Sequence, residues 1–258
     1  ELGAHAALGV LLPKRWAKRA VTRNGMRRQI YAVFNDANRE SGALTAQGLA
    51  LVVRLRRAFS REVYVSAWSR PIAREVRAGA RVLDVGCGDG QLMAALRDTK
   101  NVDARGLELN AHDVATSVSR GLSVIQGDAD TDLAEYPDGS FDYAILSQTL
   151  QTTKRPDLVL DHLVRIGREA FVSFPNFAQW RIRFAHMFGG RMPVTKQLPH
   201  LWYDTPNIHH VTIDDFRSLL HDRNIEIEGQ WFLSGNKPRA DRFANLLAQH
   251  AVFKLRRK

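Results

Sequence analysis

Cysteine is almost absent from this chain of 258 residues, which contains one, Cys87. A single cysteine excludes an internal disulfide and any zinc site with several thiolate ligands. No apolar run approaches the ~20 residues that a membrane-spanning helix needs. The apolar residues 2–12 precede a basic run, the reverse of the order in a secretory signal. These absences predict a cytoplasmic protein without a membrane segment.

Acidic residues are scarce in the first part of the chain. Residues 1–70 contain 13 Lys/Arg and four Asp/Glu, whereas residues 71–258 contain 24 and 23, so the formal charge of +10 belongs mostly to the first part. We therefore predict a basic N-terminal extension, residues 1–70, and one α/β domain, residues 71–258. The extension lacks a recognisable DNA-binding motif, which favours a solvated tail over a nucleic-acid-binding arm. Apolar spacing over residues 46–61 predicts a basic amphipathic helix.

The most informative segment is residues 81–90, where an apolar run ends at Asp84 and glycines follow at positions 86, 88 and 90. A helical pattern begins at Gln91. This order predicts a buried parallel strand, a tight turn and a helix N-terminus. Glycines there let a ligand lie against the backbone, and the helix N-terminus favours a polar or anionic group. A purely structural glycine turn is the alternative for this segment alone.

The glycine spacing separates two classes of cofactor. A dinucleotide site has the pattern Gly-x-Gly-x-x-Gly, whereas here Gly86, Gly88 and Gly90 alternate. Asp89 lies in the same turn, where it would repel a diphosphate. A nucleoside without phosphates suits this turn better, and S-adenosylmethionine is such a ligand.

The strands predicted after this turn carry further candidate residues. Glu108 ends the second strand, ~20 residues on, where a doubly wound sheet places the acid that binds the ribose hydroxyls; a solvated charge is the alternative. Asp128 ends the third strand and is positioned for an adenine amino group, with ordinary Gly-Asp turn chemistry as the alternative. The candidate cofactor-binding residues are Asp84, Gly86, Cys87, Gly88, Gly90, Glu108, Leu109, Asp128, Ala129 and Ser147.

Residues for a reaction are less well indicated. Cys87 is interpreted as a small packing residue rather than a nucleophile. Ser147, Gln148 and Thr149 follow the fourth strand and are expected to line the acceptor side of the pocket. A hydroxyl or amine acceptor would need a base. Five downstream residues are candidates for that base, although residues of these types are more often hydrogen-bonded loop residues. These candidates are His200, Tyr203, Asp204, His209 and His210. They lack a standard metal-ligand spacing, so no metal site is predicted.

An aromatic and basic region follows the fifth predicted strand. It contains residues 180–184 together with Phe177, Phe188, Trp202 and Tyr203. A lid over the pocket or a partner surface is one interpretation. Hydrophobic packing of a long insertion against the sheet is the other. Further on, helices are predicted at residues 157–165, with Leu158 among its buried positions, and at residues 213–221, capped by Thr212.

The strand, turn and acid motifs resemble class I methyltransferases, through residues 82–90, Glu108, Gly127-Asp128 and Phe141-Asp142. From Gly79 onward the chain also resembles the MetW family of methionine biosynthesis proteins, through residues 145–151, 172–177, 190–196 and 202–209. The resemblance implies a doubly wound Rossmann-like sheet, mostly parallel with an antiparallel last strand. It also implies S-adenosylmethionine as cofactor and a homoserine O-acyltransferase as the partner whose activity the protein supports. An active methyltransferase on a small acceptor is the alternative.

Overall fold

The computed structural model describes residues 7–11, 30–31, 50–54, 66–192, 194–195, 198 and 200–258. The chain divides into two compact units, residues 1–63 and 64–258. In the first unit, β1 (Ala7–Leu11) and β2 (Ala50–Arg54) pair in parallel, with Ala7 opposite Ala50. No helix in the described part of the chain is long and apolar enough to cross a membrane.

The helix predicted over residues 46–61 is wrong in its described part, because residues 50–54 form strand β2. Val52 and Val53 are β-branched, and such side chains favour extended backbone. The partner strand β1 lies far earlier in the chain and supplies the backbone pairing. A local apolar period cannot reveal so distant a partner. The remainder of the predicted helix lies outside the described residues.

The second unit is an eight-stranded α/β sheet. Its strands are β3 (Arg81–Val85), β4 (Asp103–Glu108), β5 (Ser123–Gln126), β6 (Phe141–Ser147), β7 (Gly167–Pro175), β8 (Ile225–Ser234), β9 (Lys237–Arg239) and β10 (His250–Arg257). Its α-helices are α1 (Ser69–Glu75), α2 (Gln91–Lys100), α3 (Ala111–Ser119), α4 (Pro156–Ile166), α5 (Trp180–Gly189), α6 (Ile213–Asp222) and α7 (Ala244–Leu247).

The strand order is β5-β4-β3-β6-β7-β10-β8-β9. Strands β3 to β7 are parallel, and β10 is antiparallel to both of its neighbours, β7 and β8. The predicted Rossmann-like sheet with an antiparallel last strand is therefore confirmed. The short strand β9, which forms an antiparallel hairpin with β8, was not predicted. Because β3, β4, β5 and β6 run in parallel, their carboxyl ends meet at one edge of the sheet.

Alternate residues of the central strands fill two separate cores. Leu83 and Val85 belong to the core under α4 and α6, whereas Val82 belongs to the core under α1 and α2. In β6, Ala144 and Ile145 divide between the two cores in the same way. A strand that is buried on both faces is a continuous apolar run in the sequence. These strands could therefore be predicted although apolar and polar residues do not alternate in them.

The helix predictions are partly confirmed. Thr212 caps α6, since its Oγ1 accepts a hydrogen bond from the Asp215 N–H at 3.1 Å. In α4 the expectation for Leu158 is wrong, because Leu158 is exposed while Leu160 and Leu163 are fully buried. Leu158 lies in the first turn of α4, beyond the stripe that contacts the sheet.

Candidate functional site

The glycine turn after β3 has one open position. Gly86, Gly88 and Gly90 all adopt positive φ angles, of 67°, 55° and 74°. A Cβ on Gly86 would lie 2.3 Å from Thr149 Oγ1, and one on Gly90 would lie 2.3 Å from Leu122 Cδ1. A Cβ on Gly88 would meet no atom of the described residues within 4 Å. Gly86 and Gly90 are therefore needed for packing, whereas Gly88 presents its backbone to free space.

Glu108, at the end of β4, directs its carboxylate at this turn. The Gly88 N–H donates to Glu108 Oε2 at 2.8 Å, and the Asn110 N–H donates to Oε1 at 2.9 Å. On the other side, Ser117 Oγ donates to the Gly88 carbonyl at 3.0 Å. The Gly88 peptides are thus fixed by α3 and by the end of β4. A charged acceptor and an open backbone surface lie side by side at the carboxyl edge.

Asp84 is a buried carboxylate beneath the same turn. It is 2% exposed, and its Oδ1 has no hydrogen-bond partner in the described part of the chain. Burial raises the pKa of Asp84 to about 7, and the neighbouring Glu108 carboxylate adds to the rise. An unsatisfied buried acceptor is costly. A ligand that brings a cation or a hydrogen-bond donor would remove that cost.

Cys87 and Asp89 complete the turn. The thiol packs on β4, since a Cβ added to Gly106 would lie 2.7 Å from Cys87 Sγ. Burial raises the pKa of the Cys87 thiol, which keeps it protonated and agrees with a packing role. Asp89 pairs with Arg120, with 3.0 Å between Oδ2 and Nη2. Because Arg120 compensates this charge, a diphosphate is disfavoured by the glycine spacing rather than by Asp89.

The end of β5 lies beside Glu108, because the Gly127 N–H donates to the Glu108 carbonyl at 3.0 Å. Asp128 Oδ1 accepts from the Asp130 N–H at 2.9 Å, so this carboxylate does order a turn, as the alternative interpretation held. Leu109 is 64% exposed, and Ala129 is half-buried against the core. The edge therefore combines two carboxylates with an exposed apolar side chain.

The end of β6 carries a connected polar group. Ser147 Oγ lies 3.0 Å from Ser173 Oγ, and Gln148 Nε2 donates to the same Ser173 oxygen at 3.1 Å. Gln148 has a φ of 61°, and its backbone N–H donates to the Ser173 carbonyl at 2.8 Å. A non-glycine residue at positive φ is strained, and such strain clusters at functional sites. Thr149 closes this segment against Gly86.

Among the five downstream candidates, the contacts connect His209 to this strand end. The Ile208 and His209 N–H groups donate to the Gln151 carbonyl at 2.8 and 3.0 Å. His209 Nε2 is buried and has no hydrogen-bond partner within the described residues. His210 instead packs against Phe177 in a tilted arrangement, with 4.8 Å between ring centroids.

The other three candidates, His200, Tyr203 and Asp204, lie on an exposed segment. No group of three His, Cys, Asp or Glu side chains suited to a metal is found where the structure is described.

Four residues of the site were not singled out from the sequence. Ser117 and Asn110 position the Gly88 peptides and Glu108, while Ser173 and Gln151 organise the end of β6. For Ser173 a signal existed, because a polar residue interrupts an otherwise apolar buried strand. Ser117 gave none, since a serine in a helix is ordinary and its partner is far away in sequence.

A cavity of about 540 Å³ opens elsewhere, beside Arg81, Asp103, Ser123 and Phe141. These residues begin β3, β4, β5 and β6, so the cavity lies at the amino edge of the sheet. None of the predicted binding residues lines it.

Solved structures with a similar fold include several that are described as S-adenosylmethionine-dependent methyltransferases, and a [4+2]-cyclase. A SAM-dependent methyltransferase from Archaeoglobus fulgidus aligns with a TM-score of 0.56 at 16% identity, covering 76% of this chain and 94% of that one. The [4+2]-cyclase SpnF aligns with a TM-score of 0.54 at 16% identity, covering 73% and 80%. At such identities the likeness concerns the fold alone, which is that of class I methyltransferases.

The basic extension and the α/β domain match two different family models. The family model described as Ribonuclease P matches residues 2–69. That match ends at residue 69, whereas the family match of the α/β domain begins at residue 67.

The α/β domain has its own family match. The bifunctional methionine biosynthesis protein MetXA/MetW of Rhodopirellula baltica is 35% identical over 195 residues, which cover 71% of this chain and 31% of that protein. This chain thus spans about a third of the length of that relative. The family model described as methionine biosynthesis protein MetW matches residues 67–255, more than half of the chain. The chain belongs to the MetW family of methionine biosynthesis proteins.

Proposed function

We propose that the α/β domain binds S-adenosylmethionine at the carboxyl edge of β3, β4 and β5, and that it supports a homoserine O-acyltransferase in methionine biosynthesis. The observation that supports cofactor binding is the open Gly88 position, whose N–H is bonded to the Glu108 carboxylate. Open Cβ space alone also occurs at surface turns such as Gly139 and Gly235, so the distinguishing feature of Gly88 is that its N–H is bonded to the strand-end carboxylate of Glu108.

The residues present fit the chemistry of this ligand. Glu108 would accept hydrogen bonds from the ribose hydroxyls, and Asp128 from the adenine amino group. The exposed Leu109 side chain, with Ala129, would flank the apolar faces of the base. Asp84, with its unpartnered oxygen, suits the ammonium of the methionine moiety, since a nearby cation favours the ionised carboxylate. When bound, the cofactor supplies an electrophilic methyl group.

The contribution of Glu108 can be measured directly. We expect Glu108→Ala to weaken binding of S-adenosylmethionine by about 1.5–3 kcal/mol, because a charge-assisted hydrogen bond is removed. Glu108→Gln should have a smaller effect, since the amide oxygen still accepts one hydrogen bond. Isothermal titration calorimetry with the cofactor and with its demethylated product provides the measurement. Glu226→Ala, an exposed position on β8, is the control. An unchanged affinity for Glu108→Ala would refute the assignment.

The glycine turn offers a matched pair of variants. Gly88→Ala should lower the free energy of unfolding by only ~1–2 kcal/mol, the cost of a non-glycine residue at positive φ. It should nevertheless abolish cofactor binding, because the new methyl group occupies the open space. Gly90→Ala should unfold at a distinctly lower urea concentration, because its methyl overlaps Leu122 and Ser117. Urea midpoints and calorimetric titrations separate the two effects. Normal binding by a folded Gly88→Ala would place the ligand elsewhere.

The partner proposal rests on the fused relative. In the Rhodopirellula baltica protein a MetW portion and a MetXA portion share one polypeptide. We identify the MetXA portion with the homoserine O-acyltransferase that the sequence resemblance implies. Fusion holds two proteins at high effective concentration, which benefits a pair that functions together. Separate chains of the same pair would need a contact surface instead.

Co-production with the acyltransferase tests the proposed role. We expect the two proteins to co-elute and homoserine acylation to rise in the complex. Methyl transfer is assayed in parallel on the same preparations. Absence of co-purification together with robust turnover of the methyl donor would contradict the accessory role and favour the alternative.

That alternative is an active methyltransferase on a small acceptor. Two observations favour it. Gln148 has a strained backbone at the end of β6. The His209 N–H donates to Gln151 in the turn after β6, and the His209 Nε2 has no hydrogen-bond partner among the described residues. Methyl transfer is an in-line displacement, so positioning the acceptor supplies most of the rate. His209 would serve as a base only for a hydroxyl or amine acceptor.

For the basic extension we propose RNA binding. Its composition alone favours a solvated tail, but the match of residues 2–69 to Ribonuclease P, combined with the excess of Lys and Arg, favours the other interpretation. A basic segment of this kind binds phosphates with strong salt dependence.

A salt titration tests this proposal. We expect the full chain to bind structured RNA with an affinity that falls steeply as salt rises. Replacing Lys14, Arg15, Lys18 and Arg19 with alanine should lower the salt slope by up to about one for each phosphate that the protein no longer neutralises. The control replaces Arg256 and Arg257, which belong to β10 in the second unit. Equal slopes for all three proteins would count against RNA binding by the extension.

A further inference from the structure

We propose that one face of α5 is the surface on which the homoserine O-acyltransferase docks. This inference rests on the proposed function and assigns the surface of the α/β domain that contacts the acyltransferase. The α5 face is defined by Trp180, Phe184, Met187 and Phe188.

The four side chains lie on one side of the helix, because their spacing of four, seven and eight residues corresponds to one helical face. Their exposed fractions are 39% for Trp180, 55% for Phe184, 75% for Met187 and 74% for Phe188. Single exposed apolar residues are ordinary, but large contiguous patches mark interaction sites. Aromatic residues and Met are also the types enriched in protein interfaces.

The aromatic rings of the α5 face contact one another. The Trp180 and Phe184 rings meet edge to face with centroids 5.9 Å apart, and Phe184 and Phe188 follow at 5.2 Å. On the other side of the helix, Ile182 is buried in a small cluster with Phe177. A pre-formed aromatic row loses little conformational entropy on binding, which favours affinity.

The charges around the α5 face select the partner's chemistry. Residues 180–192 contain three arginines and one histidine but no acidic residue. The Arg181 guanidinium lies over the Trp180 ring at 5.3 Å, at the rim of the face. Complementarity therefore requires a partner surface that is apolar at its centre and acidic at its rim.

The fused relative identifies the occupant. The match to the MetXA/MetW protein leaves more than half of that relative uncovered by this chain, and the name of that relative combines MetXA with MetW. A free-standing MetW-family protein needs a surface for the partner that fusion attaches covalently. The α5 helix also begins shortly after β7 ends, at the same sheet edge as the candidate site. A partner seated there adjoins the elements that carry the site.

Two charge variants and a matched control test this assignment with the full chain. Phe184→Glu and Phe188→Glu place an acid in the α5 face without lowering helix propensity, and Phe184→Ala is a milder third variant. The control is Ile125→Glu, which is 58% exposed on β5, the terminal strand of the sheet and four strands away from β7. Affinity for the purified homoserine O-acyltransferase is measured by calorimetry or biosensor. S-adenosylmethionine affinity is measured on every variant as the folding check.

We expect each Glu variant to weaken the complex at least about 30-fold, the size typical of an interface hot spot. Cofactor affinity should stay within about twofold, and Ile125→Glu should bind the partner normally. Equal partner binding by all variants would overturn this inference and leave the proposed function standing. No binding by the wild type would overturn both. The Phe variants could instead abolish self-association, or attachment to anionic vesicles, while acyltransferase binding stays unaffected. Either result would assign the α5 face to another occupant and would also overturn the inference.

Discussion

The hydrogen bond between the Gly88 N–H and the Glu108 carboxylate is the interaction on which the candidate site depends. It is possible only because β3 and β4 pair in parallel with Val85 opposite Leu107, so that both strands end at one level. A carboxylate has about four acceptor positions. Glu108 can therefore hold Gly88 and Asn110 and still accept from a ligand. The turn is organised in advance, which reduces the entropy that binding must overcome.

Two different features lie along one edge of the sheet. Strands β3, β4 and β5 end in the glycine turn and its acids, features typical of the class I methyltransferase fold. The segment after β7 instead forms α5, whose aromatic side chains face solvent. The fold alone does not specify the chemistry, since the [4+2]-cyclase SpnF shares it.

The two parts of the chain differ as sharply in charge as in family. The α/β domain is close to neutral, in keeping with a small-molecule pocket and a protein partner. The extension has about three times as many basic as acidic residues, and its match is to Ribonuclease P. A strongly basic segment interacts with phosphates at long range whatever domain it is attached to. The two proposed activities therefore rest on independent observations.

The sequence by itself determined the succession of strands along the chain apart from β9, the glycine turn, the positions of Glu108 and Asp128 near strand ends, and the Thr212 cap. These features are local: apolar runs, turn residues and fixed offsets along the chain specify them. Only the tertiary structure decided that residues 50–54 form a strand, that Leu158 faces solvent, and that Ser173 and Gln151 organise the end of β6. It also decided which glycine stays open, because that depends on whether Thr149 or Leu122, distant in sequence, fills the space beside it.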